Sequence, residues 1–268
     1  MGLEIDDLSF SWRRQPTLVK ISLSLKAGVF TGCLGPNGSG KSTFLKNILG
    51  FLKPSGGRVL YSGTADEAPR PFSTGERSRR FAFVPQFAGA RASFTVWELA
   101  LTGRLPHMKS RWQGYTKSDY RKTAEILEML GIDSISNRNI LTLSGGELQK
   151  TLIARCLVQE GDVLLLDEAT SGLDLNHAVE IMELMRKKAD QEGKIVLAVL
   201  HDLNLAAQYC DRILLLKNGR LRYQGSPAEI LTENIVEEIY GIRVAVSADD
   251  KAHPVILPRR AAKTTGGV

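Results

Sequence analysis

Nine consecutive residues constrain this chain more than anything else in it: Gly35-Pro36-Asn37-Gly38-Ser39-Gly40-Lys41-Ser42-Thr43. They follow a short apolar run, Val29 to Leu34, and precede a segment with apolar Phe44, Leu45, Ile48, Leu49 and Leu52 that Pro54 stops. A strand that turns through two glycines, a lysine and a hydroxyl at these offsets into a helix is the P-loop arrangement. The glycines let successive backbone N–H groups turn inward around phosphate oxygens, and the helix N-terminus adds positive potential. Lys41 then reaches the terminal phosphates and the Ser42 hydroxyl holds Mg²⁺. With glycine near 7% of residues, chance produces the pattern on the order of once in 10⁴ positions. The alternative, a glycine-rich turn without a ligand, does not account for the strand before it and the helix after it.

The remaining chain reads as an α/β core interrupted by helices. Leu3 to Trp12 and Thr17 to Leu25 read as strands, the second with alternating Leu18, Ile21, Leu23 and Leu25. Pro54 to Gly57 is a turn, Arg58 to Tyr61 a strand, Ser62 to Arg80 a loop, and Phe81 to Val84 another strand. Between about 87 and 158 the texture is helical. Helices are expected at Thr95 to Thr102, at Ser118 to Leu130 with Tyr120, Ala124, Leu127 and Leu130 on one face, and at Gly145 to Val158.

Strand and helix then alternate: Val163 to Leu166, Leu175 to Ala189, Ile195 to Leu200 and Asp202 to Tyr209. A hairpin, Arg212 to Leu216 and Leu221 to Gln224, turns across Asn218-Gly219. Ser226-Pro-Ala-Glu229 opens a last helical region as a capping box. Residues 1–257 are expected to form one nucleotide-binding domain with a helical part inserted at about 87–158. The basic stretch 258–268 is expected to be a frayed tail.

Composition excludes several classes. The longest apolar runs, such as Ile195 to Leu200, fall far short of the roughly 20 residues that span a bilayer. Met1 to Asp7 lacks the basic and apolar regions of a signal peptide, and residue 6 is not the Ser or Thr of a myristoylation signal. A soluble protein of the cytosolic side is expected. The three cysteines and four histidines are scattered, with no Cys-x-x-Cys, which argues against a disulfide framework or a zinc site. The net charge of +6 is a mild basic excess on a mixed surface, dense only at Arg77, Arg79 and Arg80 outside the tail, and no aromatic interleaving accompanies it.

A second chemical element is Asp167-Glu168, which ends the apolar run Val163 to Leu166. A parallel sheet delivers ligands to the carboxyl ends of its strands, where both this pair and the P-loop would sit. Asp167 suits the Mg²⁺ shell and Glu168 a general base for an attacking water. Alone, such a strand end is ordinarily just solvated. Paired with the P-loop it points to a hydrolase site.

The third element is Leu143-Ser144-Gly145-Gly146-Glu147-Leu148-Gln149-Lys150, between the other two. Taken alone it fits a helix N-cap with flexible glycines. Together the three resemble the nucleotide-binding subunit of ATP-binding-cassette (ABC) proteins, a P-loop NTPase fold. That fold has a RecA-like α/β core, an antiparallel β subdomain and a helical subdomain. The resemblance covers residues 3 to 257 and implies the roles that follow. Gln86 is similar to the Q-loop glutamine, a catalytic and Mg²⁺-shell residue. Ser171 to Asp174 resembles the D-loop, with Asp174 toward the nucleotide, and His201 resembles the switch histidine. Trp12 resembles the aromatic that stacks on adenine, a role its flat face suits; packing of an early strand is the alternative. ATP and Mg²⁺ are the implied cofactors, bound by Gly35 to Thr43, with Lys41, Gln86, Glu168 and His201 catalytic.

In that family two cassettes meet head to tail, so Ser144, Gly145 and Gly146 of one copy face the nucleotide held at Lys41 of the other. Free N–H groups at the start of a helix suit that anion. A homodimer is implied. Lys150 and Glu147 stand where Arg and Gln are commoner in the family, and both keep a long polar side chain.

Thr95 to His107, His201 to Asp211 and Gly241 to Val244 resemble importer ATPases for ferric siderophores, haem and cobalamin. The implied partners are two transmembrane permease subunits and, through them, an extracytoplasmic substrate-binding protein. The implied place is the cytoplasmic face of the membrane. The loop at Gln86 and the helices after it would grip the permease near Gly103 to His107, a stretch that also fits a simple helix-ending turn. A molybdate or tungstate importer is an alternative. So is a non-transport ATPase acting on nucleic acid or in iron–sulfur assembly, although no long helical insert or second cassette supports those, and no nucleic-acid partner is expected.

Overall fold

The computed structural model describes residues 1–63, 67–86, 93–108, 112 and 114–259. The start of the expected helical insert, 87–92, and residues 260–268 of the expected tail lie outside them.

The first strands, β1 (Gly2–Trp12) and β2 (Gln15–Lys26), form a hairpin. β3 (Phe30–Leu34) runs through the glycine-rich loop into α1 (Lys41–Ile48). β4 (Gly56–Ser62) and β5 (Arg70–Pro71) return to β1, and α2 (Thr74–Arg80) leads into β6 (Phe81–Val84). Next come α3 (Val96–Leu101), a 3₁₀ turn at Thr102–His107, α4 (Lys117–Met129) and α5 (Gly145–Val158), whose helices pack on one another. β7 (Val163–Asp167), α6 (Leu175–Glu192), β8 (Ile195–Val199) and α7 (Leu203–Tyr209) alternate. The described chain ends with β9 (Arg212–Lys217), β10 (Arg220–Gly225), α8 (Pro227–Ile230), α9 (Glu233–Tyr240) and a hairpin of β11 (Val244–Ala248) and β12 (Pro254–Pro258).

The central sheet has the order β10-β9-β3-β8-β7-β6, parallel except at β10. Every residue of β3, β7 and β8 is buried, as a strand covered on both faces requires. Alternation sends Leu164 and Leu166 into a core with α5 and α6, and Val163 and Leu165 into a core with α1 and the antiparallel sheet β2-β1-β4-β5. Among the described residues, no helix is long and apolar enough to cross a membrane.

Local structure departs from expectation in four places. The stretch expected as a loop from Ser62 to Arg80 contains α2, started by a reciprocal capping box of Ser73 and Glu76. α1 ends at Ile48, ahead of Pro54, because Gly50 turns the chain at a φ of 75°. α4 buries Asp119, Thr123, Ile126 and Leu127 and leaves Tyr120 and Ala124 exposed. The cause is polar: the Asp119 carboxylate caps the helix at Thr116 and accepts from Arg104 Nε at 2.7 Å, which rotates that face inward. The closing hairpin of β11 and β12 was not foreseen; Asn204 of α7 holds it through both the N–H and the C=O of Ile256.

Candidate functional site

The carboxyl ends of β3, β7 and β8 lie side by side, so the residues that follow each strand converge. After β3 the chain must turn at Gly35, where a φ of 146° and a Leu216 carbonyl oxygen 2.1 Å from any added Cβ admit glycine alone. Gly40 caps α1 in the left-handed region, and Gly38 faces open space. The loop is braced from later in the chain. Gly219, at the tip of the β9–β10 hairpin, donates its N–H to Ser39 O at 3.1 Å and accepts from Val19 N–H at 2.8 Å. The Tyr240 phenol is pushed up in pKa by burial, and the backbone of Gly35 beside it opposes that shift. Neither brace was legible as functional, since each is a lone residue far from the motif; Asn218-Gly219 was visible only as a turn.

Lys41 is 5% exposed and donates from Nζ to Gly35 O at 2.7 Å and Pro36 O at 3.1 Å. Burial pulls its pKa below the ordinary lysine value, and the carboxylates of Glu168 and Asp167 oppose that. Ser42 Oγ donates to Asp167 Oδ1 at 2.9 Å. Asp167 is 2% exposed, and burial, reinforced by the charge of Glu168, raises its pKa.

Glu168 has a φ of 54°, a strained value for a non-glycine residue. That turn, with its N–H on Val199 O, aims the carboxylate across the strand ends. His201 Nε2 lies 2.7 Å from Oε1, and Gln86 Nε2 donates to Oε2 at 2.7 Å. Glu168 thereby joins the ends of β6, β7 and β8.

A cleft of about 340 Å³ is lined by Trp12, Thr17, Asn37 to Thr43 and Glu168. Trp12 is half exposed, its ring T-shaped to that of Phe10 at 5.1 Å, and it lines the cleft. Glu168 also lines a second cavity of about 260 Å³ with Ser171, His201 and Asp202, so it stands in the wall between two spaces.

Ser144, Gly145, Gly146 and Asp174 form a separate group that does not line the Lys41 cleft. Ser144 caps α5 reciprocally with Glu147. Asp174 caps α6 and holds His177 Nδ1 at 2.8 Å, and a Cβ built on Gly146 would touch the His177 ring at 3.5 Å.

The chemistry of these donors suits a nucleoside triphosphate with Mg²⁺. Glycine N–H groups and a buried ammonium suit phosphate oxygens. The Ser42 hydroxyl and Asp167 carboxylate are hard oxygen ligands of the kind Mg²⁺ takes. A carboxylate paired with an imidazole beside that cradle can accept and hold a proton.

Known proteins carry the same pattern. The family described as ABC transporter matches residues 18–171. A cobalamin import ATP-binding protein of Halobacterium salinarum is 37% identical over 249 residues, 93% of this chain; the chain spans 61% of that relative's length. A hemin import ATP-binding protein of Pseudomonas putida is 41% identical over 269 residues, covering 96% of this chain and 100% of the relative. Among solved structures, a chain from a transporter assigned to the metal-chelate type, in an inward-facing conformation, superposes with a TM-score of 0.82. It is 25% identical and covers 97% of both chains.

Proposed function

The chain belongs to the ABC transporter family as an ATPase domain, and from that premise we propose that it hydrolyses ATP to drive a metal-chelate importer. The observation that carries the reading is the meeting of Lys41, Ser42, Asp167, Glu168, His201 and Gln86 around one sheet end. The cargo class, ferric siderophore, haem or cobalamin, is supported by what the similar proteins are named for.

In this reading the N–H groups of Gly35 to Thr43 cradle the phosphates of ATP, Lys41 covers the terminal ones, and Trp12 receives the adenine. Ser42, Asp167 and Gln86 would hold Mg²⁺, which would supply charge neutralisation at the terminal phosphates. Glu168 accepts the proton of the attacking water as general base. His201, at 2.7 Å from Glu168, holds that carboxylate in place and presents its imidazole to the γ-phosphate. Gln86, just after β6, donates to the same carboxylate and so helps to orient the base.

Half of the site is elsewhere on the same chain. Ser144 to Gly146 present a helix N-terminus that does not line the Lys41 cleft. A head-to-tail homodimer completes both sites at once, with Asp174 at the seam. Residues 1–257 act as one nucleotide-binding domain, and its helical part, about 87–158, faces two permease subunits on the cytoplasmic side of the membrane. An extracytoplasmic binding protein supplies the cargo.

The test is the tagged Glu168→Gln protein taken from its native host in mild detergent with ATP. A polytopic permease with about ten hydrophobic spans per subunit in the purified assembly is the expected result. Recovery of the dimer with only soluble partners or nucleic acid overturns the transport reading and leaves the ATPase site standing.

A further inference from the structure

His177 lies in the first turn of α6, outside both cavities at the strand ends, and the hydrolysis described above does not use it. It nevertheless touches both Asp174 and the start of α5, the two groups that face away from the Lys41 cleft of their own chain.

An aspartate that caps a helix needs only the backbone N–H three residues on, and Asp174 Oδ1 accepts that of His177 at 2.9 Å. The His177 side chain adds a second tie. Its Nδ1 lies 2.9 Å from Oδ1 and 2.8 Å from Oδ2, so the edge of the ring spans the carboxylate. With an ionised carboxylate as acceptor, Nδ1 carries the proton. The backbone N–H and the imidazole of His177 together hold the Asp174 carboxyl below the usual aspartate range.

The same ring meets α5. A Cβ built on Gly146 would lie 3.5 Å from Cε1 and 3.6 Å from both Nδ1 and Nε2. Three ring atoms at nearly one distance mean that the imidazole presents its flat side to Gly146. About one turn further along each helix, Lys150 Nζ pairs with Glu180 Oε2 at 2.8 Å. From the opposite direction Arg138 pairs with Glu147 Oε1 at 2.9 Å and donates to Thr142 O.

These ties differ in stiffness. Lysine and glutamate are long, and Glu180 is more than half exposed, so that pair steers weakly by itself. The imidazole is a rigid plate with its edge committed to Asp174 and its face to Gly146. A turn of the Asp174 side chain therefore shifts the ring against the start of α5.

We propose that His177 is a positioning residue that joins Asp174 and the helix start at Ser144 to Gly146 into one unit, so that both reach the nucleotide of the second copy together. The inference rests on the head-to-tail homodimer proposed above and adds the residue that sets the geometry of the face each copy offers the other. Its effect falls on the cleft of the second copy and spares the Lys41 cleft of its own chain.

Mixed dimers of full-length chains are purified through two different tags, with Glu168→Gln in both chains so that bound ATP persists. Lys41→Met in one chain leaves a single working cleft, the one completed by Ser144 to Gly146 of that same Lys41→Met chain. Release of labelled ATP is followed with His177→Ala placed in either chain. On the Lys41→Met chain it is expected to speed release about tenfold. On the other chain it is expected to leave release within about twofold. Each arrangement contains one His177→Ala chain, so a general loss of stability acts in both alike. His177→Asn keeps a donor for Asp174 without the ring and is expected to recover only part of the retention. Equal effects in the two arrangements, no effect in either, or full recovery by His177→Asn overturns this inference alone. Release from the mixed dimer no slower than from the lone chain overturns the head-to-tail reading, and this inference with it.

Discussion

Glu168 and His201 leave the ends of two neighbouring parallel strands and meet at 2.7 Å, Nε2 to Oε1. The pairing divides their labour in a way kinetics can resolve. Glu168→Gln keeps the shape and the contact with Gln86 but removes the proton acceptor. Its turnover is expected to fall by about 10²- to 10⁴-fold while ATP affinity stays within about threefold. His201→Ala frees the carboxylate without removing it, so its loss is expected to be smaller at saturating ATP. Equal steady-state rates for wild type and Glu168→Gln would remove Glu168 from the mechanism.

Asp167 carries a stability penalty. Burial raises its pKa, so the folded state disfavours the ionised form. For a carboxyl whose folded pKa lies above its unfolded value, stability falls as pH rises from the unfolded value through the folded one. Asp167→Asn keeps an acceptor for Ser42 and removes the charge. Without nucleotide or Mg²⁺ it is expected to raise stability at pH 7 by about 1 kcal/mol, and the gain should vanish below about pH 4. Hydrolysis should be lost. Denaturant melts of both proteins across pH measure the difference; a lower midpoint for Asp167→Asn at neutral pH contradicts the prediction.

Asp119 has the opposite sign. Burial raises its pKa, but the Thr116 N–H and the Arg104 guanidinium outweigh burial, and the net shift is downward. Its stabilisation is therefore complete above the unfolded value and is lost as pH falls through the folded one. Arg104 is 11% exposed and also donates to Val158 O and Glu160, so it ties the 3₁₀ turn to α4 and α5. Arg104→Met is expected to cost about 3 kcal/mol at pH 7. The deficit should shrink as pH falls through the folded pKa of Asp119, below the ordinary aspartate value, where the carboxyl becomes protonated in both proteins. A pH-independent deficit would assign the loss to packing alone.

Arg13 and Arg14 form the two-residue turn between Trp12 and Gln15 with φ of 43° and 75°. Two positive values in succession are the signature of a turn that Asn-Gly satisfies without strain. Arg13→Asn with Arg14→Gly is expected to raise stability by about 1–2 kcal/mol, measured by urea unfolding. An unchanged or lower midpoint would mean that the arginine side chains offset the backbone strain.

The chemical motifs were legible because each is a local string whose spacing is set by one turn of backbone. Gly35 to Thr43, Asp167-Glu168 and Ser144 to Gly146 need no knowledge of the rest of the chain. The buried strands were legible as well, since β3, β7 and β8 are apolar throughout. What escaped was set by tertiary contacts. The buried face of α4 turns on a partner, Arg104, outside that helix. The short helix α2 hid behind its polar composition, with only Ser73 and Glu76 to mark it. Tyr240 and Gly219 touch the P-loop from the far end of the chain, and no local pattern announces such a contact.

The neighbours of β3 have a consequence for synthesis. Its strand partners are β8 and β9, and its loop rests on Leu216, Gly219 and Tyr240, all of which leave the ribosome long after the P-loop does. Such long-range pairing is slow, because loop closure precedes any gain from contact. During translation the first strands can form their own hairpin, but the phosphate cradle waits for almost the entire chain. Nucleotide binding therefore reports on completion: an interrupted chain carries the whole Gly35 to Thr43 string and still has no framework to shape it.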